Sequence, residues 1–214
     1  HSFPTRRSSD LRIDQGTFKK GMTIILKESG RLTSIVEELL DISRIQSGRM
    51  KLMTEKIDLV AELDEAVYML KERSIQERKH LMFDSPIEPF PPVMGDKNRL
   101  RQVFLNIIDN ALKYTPEGGN VIVQILNKET NIEVLISDTG CGIAPEDLPK
   151  VKDKFYKANQ NVGGSGIGLA VADEIVQMHG GTLDIESGIG VGTTVKISIP
   201  VYDESQSKED KGEN

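Results

Sequence analysis

The chain has 214 residues, 37% hydrophobic and 28% charged, with 27 basic and 33 acidic side chains and a net charge of −6. This is the composition of a globular protein, and it excludes collagen-like, mucin-like and wholly disordered chains. No stretch reaches the roughly 18 apolar residues of a membrane-spanning helix, and no signal-peptide pattern is visible. The single cysteine, Cys141, excludes an intrachain disulfide and suits a reducing compartment. An acidic chain without a basic cluster is not expected to bind nucleic acid or an anionic membrane.

The two ends of the chain differ from the rest. Residues 1–13 mix Pro4, paired arginines and a Ser-Ser-Asp turn without periodicity, so we expect a disordered or foreign end. Residues 203–214 are charged and contain no apolar residue, which predicts a disordered tail.

Apolar residues recur every seventh position in the first helical segment, which runs from about Phe18 to Ile45. The repeat consists of Phe18, Ile25, Leu32 and Leu39, with Met22, Ile35, Val36 and Ile42 between them. Such a repeat predicts a coiled-coil or bundle seam, which a lone helix could not bury. The alternative is a helix docked on its own domain, but we favour a bundle between two chains. Ser47 and Gly48 are predicted to end the helix.

Helices and antiparallel strand pairs alternate in the remainder of the chain. Asp58 is predicted to cap a second helix that fades near Arg78. The further predicted elements are a strand at 80–84, a loop at 86–92, a helix at 97–114, a hairpin of 121–126 with 132–137, a Gly- and Lys-rich loop at 138–166, a helix at 167–178 and a pair of 183–186 with 194–199. This order predicts an α+β fold, a two-layer α/β sandwich preceded by a helical stalk.

Three polar residues border the apolar stripe of the helix predicted at 97–114. At about 100° per residue, Asn106, Asn110 and Lys113 fall within an arc of about 60°. Amide oxygens suit Mg²⁺ that is bound with phosphates, and a lysine neutralises phosphate charge. Such a trio by itself is more often ordinary solvated surface.

Two glycine-rich segments follow. Asp138 ends a predicted strand and precedes Gly140 and Gly142. The two glycines predict a tight turn where the backbone can closely approach a ligand. The Asp138 carboxylate could accept a hydrogen bond from an exocyclic amine. Residues 163–168 (Gly-Gly-Ser-Gly-Ile-Gly) open a helix, and the amides at a helix N-terminus favour phosphate. Each signal is weak alone. A dinucleotide-binding fingerprint is rejected because no strand leads directly into these glycines.

In this order and spacing, the three segments resemble motifs of the bacterial sensor histidine kinases. Residues 106–116 resemble that family's asparagine box, 138–143 its first glycine box, 155–157 its phenylalanine box and 163–170 its second glycine box. Residues 28–52 resemble the second helix of its dimerisation hairpin. The resemblance spans about residues 18–201 and implies a Bergerat-type ATP-binding fold behind a helical dimerisation stalk.

The resemblance implies an organisation and an activity. Residues 14–50 would be the second helix of a dimerisation and phosphoacceptor hairpin, and residues 56–202 the ATP-binding catalytic domain. The activity would be that of a cytoplasmic protein-histidine kinase, which transfers the γ-phosphoryl group of ATP to a histidine for relay to the receiver domain of a response regulator. The chain would form a homodimer through the stalk, and any membrane anchor of the parent would lie upstream.

The resemblance also implies a role for each motif residue. Asn106 would coordinate Mg²⁺, while Asn110 and Lys113 would contact the ATP phosphates, so these three are the expected catalytic residues. The further nucleotide-binding residues would be Tyr114 along the nucleotide, Asp138 at the adenine amino group, Gly140 and Gly142 around it, Phe155 as the anchor of a mobile lid at 144–163, and Gly164, Gly166, Gly168 and Leu169 on the phosphate side.

Two features depart from the family pattern. Lys152 stands where the phenylalanine box usually begins with an aromatic residue, so Phe155 alone would anchor the lid. The first hairpin helix, which carries the phosphoacceptor, has no counterpart, since His1, His80 and His179 do not match its motif. We therefore expect a fragment in which His80 and His179 are structural.

Two other functions remain open. One is another ATPase of the gyrase, chaperone and kinase superfamily, but its hydrolysing members use a glutamate where this chain has Asn106, which cannot act as a general base. Hydrolysis should therefore be slow. The other is a non-catalytic dimerisation and interaction relic, favoured by Lys152 and the missing acceptor and opposed by the intact nucleotide-facing positions.

Overall fold

The computed structural model describes residues 15–159 and 163–202. The described residues divide into two units, with the boundary after Leu40. The expected foreign end at 1–13 and the expected tail at 203–214 lie outside the described residues.

The helices and strands lie close to their predicted positions. They are α1 (Gln15–Gln46), β1 (Glu55–Ile57), α2 (Leu59–Gln76), β2 (His80–Asp84), β3 (Val93–Gly95), α3 (Lys97–Tyr114), β4 (Asn120–Asn127), β5 (Asn131–Asp138), α4 (Gly168–Met178), β6 (Thr182–Gly188) and β7 (Gly192–Pro200). The sequence does not predict the two shortest strands, β1 and β3, because three residues are too few to show an alternation. It also misses the 3-10 turn at Leu148–Lys150.

Five strands form one sheet in the order β2-β4-β5-β7-β6. The pairs β4–β5 and β6–β7 are antiparallel, as predicted. The strand β2, for which the sequence predicted no partner, runs parallel to β4. The connection between these two strands contains α3, and a helical crossover returns the chain in the same direction. The short strands β1 and β3 pair separately.

The core lies between this sheet and the helices α2, α3 and α4. In the central strand β5, Ile132, Val134 and Ile136 are buried because alternate residues of a strand point to the same face. Phe104 and Ile108 of α3 fill the facing layer. The fold is therefore the predicted α+β sandwich of two layers.

The helix ends follow local signals in the sequence. Asp58 caps α2, since its Oδ1 accepts hydrogen bonds from the amides of Val60 and Ala61 at 2.9 and 3.3 Å. Asp96 caps α3 in the same way. Gly48, with a φ of 63°, follows the end of α1 as predicted.

His179 has the structural role expected of it. It is buried, its Nε2 accepts a hydrogen bond from the Asp96 amide at 2.9 Å, and its Nδ1 lies 2.7 Å from the Ile175 carbonyl oxygen, to which it donates. Burial lowers the pKa of His179, and a ring that accepts at Nε2 and donates at Nδ1 is in its neutral form. Both ring nitrogens are thus engaged within the fold. His80 lies at the start of the edge strand β2 and is exposed.

The described part of the first unit, residues 15–40, lies within α1. Its apolar repeat is exposed, with Phe18, Ile25 and Leu32 at 59%, 63% and 63% of full exposure. This exposure is what a seam without its partner helix would show. Among residues 15–159 and 163–202, no helix combines the length and apolarity needed to cross a membrane.

Candidate functional site

The first wall of the candidate site is one side of α3. Asn106, Asn110 and Lys113 are half-buried there, beside fully buried neighbours such as Ile107. Because the apolar stripe fixes the rotation of α3 on the sheet, all three polar side chains lie at the margin of the core. The spacing seen in the sequence therefore places them on one face, as predicted.

Asn106 joins α3 to the start of α4. Its Nδ2 donates a hydrogen bond to the Gly168 carbonyl oxygen at 3.2 Å. This contact orients the amide, so that Oδ1 points away from the Gly168 carbonyl. Leu169, the next residue, packs against the core and fixes the helix start.

Lys113 lies beside the glycine segment that precedes α4. A Cβ built at Gly164 would lie 2.4 Å from the Lys113 Nζ, and Gly164 has a φ of 135°. The same ammonium lies 4.9 Å from the centre of the Tyr114 ring. Glycine at position 164 thus lets this ammonium approach the backbone closely.

The turn after β5 packs against the C-terminal end of α3, next to Lys113. Oδ1 of Asp138 accepts hydrogen bonds from the amides of Gly140 at 2.8 Å and Thr193 at 3.3 Å. Burial raises the pKa of Asp138, although these two hydrogen bonds act in the opposite direction. A Cβ at Gly140 would lie 2.6 Å from the Tyr114 carbonyl oxygen, so glycine permits this approach.

Gly142 brings the same turn against β6. Its φ is 70°, and a Cβ there would lie 1.9 Å from the Gly188 carbonyl oxygen. Any other residue would require the backbone to move. The structure thus brings the Asp138 turn and the glycine segment to the same helix, α3, which the sequence could only suggest.

Phe155 does not anchor the loop of residues 144–159 in the way expected. Its side chain is 62% exposed, and its φ of 68° is in the left-handed region. The loop is held by other contacts instead, since the Phe155 amide donates to the Gly166 carbonyl oxygen at 2.9 Å and the Tyr156 hydroxyl donates to Asp147 at 2.7 Å. Residues 160–162 of the expected lid lie outside the described residues.

Lys152 has a role that the sequence did not reveal. Its Nζ lies 2.9 Å from Oδ1 of Asp173 in α4 and also donates to the Leu183 carbonyl oxygen in β6. In the sequence it was only a departure from the family pattern, and nothing there links it to Asp173, 21 positions away.

The candidate metal ligand in the site is a neutral amide, that of Asn106. In the parts of the chain that are described, no group of three or more His, Cys, Asp or Glu residues could hold a metal ion. Mg²⁺ binds through few protein ligands when phosphates and waters supply the others. The Asn106 amide therefore fits a metal that arrives with a phosphate ligand.

We expect Phe155→Asn to stabilise the nucleotide-free fold slightly, by about 1 kcal/mol, because asparagine tolerates the left-handed backbone better than phenylalanine. If the exposed ring covers a nucleotide, the same substitution should weaken adenine nucleotide binding about 2- to 10-fold, the usual range for one aromatic contact. Thermal unfolding and calorimetric titration measure the two effects separately. Weaker binding together with lower stability would instead assign Phe155 to the packing of the loop.

The sequence matches known proteins over most of its length. Residues 95–203 match the family described as histidine kinase-, DNA gyrase B-, and HSP90-like ATPase. The histidine protein kinase DivJ of Caulobacter vibrioides is 34% identical over 181 residues, which cover 83% of this chain and 30% of that protein. The sensor protein SrrB of Staphylococcus aureus is 33% identical over 186 residues, which cover 85% and 32%. The chain thus spans about a third of the length of these relatives.

Solved structures show the same fold. Full-length ShkA in complex with AMPPNP aligns with a TM-score of 0.75 at 24% identity, covering 86% of this chain and 39% of that one. The histidine kinase AdeS of Acinetobacter baumannii aligns with a TM-score of 0.69 at 26% identity, covering 89% and 86%. ThkA in complex with the response regulator protein TrrA aligns with a TM-score of 0.68 at 24% identity, covering 88% and 53%.

Proposed function

Because the chain belongs to the family of histidine kinase-, DNA gyrase B-, and HSP90-like ATPases, we propose that it is the ATP-binding kinase domain of a two-component sensor histidine kinase. The observation that carries this proposal is the convergence of two segments, the Asp138 turn and the glycine segment at 163–168, on α3. Asn106 bonds to Gly168, Lys113 lies beside Gly164, and the Asp138 turn packs on the Tyr114 carbonyl. The residues that we propose to bind phosphate, metal and base therefore lie around one helix.

Each wall of the site receives one part of the nucleotide. Lys113 and Asn110 bind phosphate oxygens, because an ammonium and an amide supply charge and hydrogen bonds. The backbone amides at the start of α4 would supply further hydrogen bonds to the phosphates. Asp138 accepts a hydrogen bond from the adenine amino group. The further contacts are Tyr114, Gly140, Gly142, Phe155, Gly164, Gly166, Gly168 and Leu169.

Asn106 is the proposed protein ligand of Mg²⁺. Its Nδ2 is engaged by the Gly168 carbonyl, which leaves Oδ1 to serve as a neutral oxygen ligand. Bound there with the phosphates, the ion would neutralise charge on the transferring group. An amide cannot take a proton from water, so Asn106 supports transfer to a protein acceptor over rapid hydrolysis.

The acceptor and partners are part of the same proposal. The phosphoryl group would pass to a histidine on a dimerisation hairpin and then to a response regulator, the class of partner present in the ThkA–TrrA complex. The exposed seam of α1 supports a homodimer through the stalk. The single cysteine supports a cytoplasmic location.

Mg²⁺ and ATP together should raise the unfolding temperature of the chain in proportion to the logarithm of ligand concentration, because a ligand that binds only the native state stabilises it. At about 100 times the dissociation constant the gain is about 2.7 kcal/mol, which is about 5–10 °C for a domain of this size. Scanning fluorimetry with Mg²⁺-ATP, ATP with EDTA, and Mg²⁺-GTP gives the nucleotide and metal preferences. No shift with Mg²⁺-ATP would favour the non-catalytic relic.

A further inference from the structure

Two lysines of the loop at 144–159 form ion pairs with two consecutive acidic residues of α4. The Lys152 Nζ lies 2.9 Å from Oδ1 of Asp173, and the Lys154 Nζ lies 3.5 Å from Oε1 of Glu174. The Asp173 side chain is only 15% exposed, against 36% for Glu174. The Lys152 pair is therefore the shorter of the two, and its carboxylate is the better shielded from solvent, while the Lys152 side chain itself is 35% exposed.

Lys152 also binds the edge of the sheet. Its ammonium donates to the Leu183 carbonyl oxygen of β6, which is the last strand in the sheet order. One side chain thus joins the loop, α4 and β6. The ion pair with Asp173 and the hydrogen bond to the Leu183 carbonyl oxygen together hold the loop at Lys152 more firmly than an exposed ion pair would.

The segment that follows Lys152 lies directly on the glycine segment of the site. The Phe155 amide donates to the Gly166 carbonyl oxygen at 2.9 Å. A Cβ built at Gly166 would lie 2.8 Å from the Tyr156 carbonyl oxygen. Movement of residues 152–156 would therefore move the backbone of Gly166 and its neighbours.

From these contacts we propose that Lys152 is a positioning residue for nucleotide binding. Its pair with Asp173 holds residues 152–156 against Gly166 and so sets the backbone of residues 163–168 before a nucleotide arrives. The inference rests on the proposed function, because it assigns the phosphates to that backbone. It also explains how the loop is held although Phe155 is exposed, since charge takes the place of a buried aromatic side chain.

Hydrogen exchange of the nucleotide-free chain tests the attachment by itself. We expect Lys152→Gln and Asp173→Asn each to raise exchange in residues 152–156 and 163–168 at least fivefold, with no change in β4 and β5. The double variant should resemble Lys152→Gln, because both substitutions remove the same pair and Lys152→Gln also removes the hydrogen bond to the Leu183 carbonyl oxygen. Lys152→Arg should retain protection. As a matched control, Lys128→Gln removes an exposed 4.0 Å pair with Glu133 and should change nothing in these segments.

Titration of the same proteins with Mg²⁺-ATP tests the positioning role. The dissociation constant for Mg²⁺-ATP should rise about 3- to 10-fold in Lys152→Gln and Asp173→Asn. It should be close to the wild-type value in Lys152→Arg and in the control Lys128→Gln. The ratio of the variant's dissociation constant to that of the wild type should shrink at high salt, because screening weakens the ion pair in the wild type. Unchanged exchange, additive effects in the double variant, or faster exchange without weaker binding would each overturn the proposal. If the variants show the expected changes in exchange but the wild-type chain binds no ATP, the proposed function is refuted instead.

Discussion

Asp138→Asn is expected to weaken Mg²⁺-ATP binding by about 10- to 100-fold, the range for one hydrogen bond to a charged group. Among the described residues, the hydrogen bonds to this carboxylate come from the amides of Gly140 and Thr193, and both reach Oδ1. An asparagine can keep both with its own Oδ1. Its amide NH₂ then occupies the place of the second oxygen, so a donor faces the adenine amino group, which is itself a donor.

Calorimetric titration measures this loss, and thermal unfolding shows that the fold is retained. Asp184→Asn is the matched control, because Asp184 is an exposed aspartate on the nearby strand β6. It should bind Mg²⁺-ATP like the wild type. Equal affinities for wild type and Asp138→Asn would remove Asp138 from the base-binding site, while a collapsed fold would show that its bonds to Gly140 and Thr193 are structural.

The second large effect concerns phosphoryl transfer. We expect the chain to bind Mg²⁺-ATP and yet to acquire no phosphohistidine by itself. Transfer requires an imidazole within about 3–3.5 Å of the γ-phosphorus. His179 is buried with both nitrogens engaged, and His80 lies on the edge strand β2, so we expect neither described histidine to be presented to the γ-phosphorus. A separate dimerisation hairpin that carries its own histidine should accept the phosphoryl group.

Transfer to the added hairpin should be slow, because the reaction lacks the effective concentration that covalent linkage provides. Incubation with radiolabelled ATP, followed by acid and alkali treatment, distinguishes the outcomes, since phosphohistidine is labile in acid and stable in alkali. The Asp138→Asn variant is the negative control. Acid-labile label on this chain alone would show that one of its histidines is an acceptor. Absence of label on every hairpin tested, despite ATP binding, would favour the relic.

Local patterns in the sequence determined most of the elements. The seven-residue repeat predicted α1, the capping Asp58 predicted the start of α2, and alternating apolar residues predicted the β4–β5 hairpin. These signals are reliable because a helix turn, a cap and a hairpin are decided by residues that lie close together in sequence. The motif spacing likewise predicted that Asn106, Asn110 and Lys113 share one face of α3. Their roles toward a nucleotide stay predictions.

Only the tertiary structure decided which distant segments meet. The parallel pairing of β2 with β4 depends on the path of the crossover through α3, which no local period encodes. The bond from the Thr193 amide to Asp138 joins residues 55 positions apart, and the Lys152–Asp173 pair joins residues 21 apart. The exposure of Phe155 likewise depends on which distant segments meet around it. A side chain is buried only where packing places other elements around it, and here charge at Lys152 holds the loop instead.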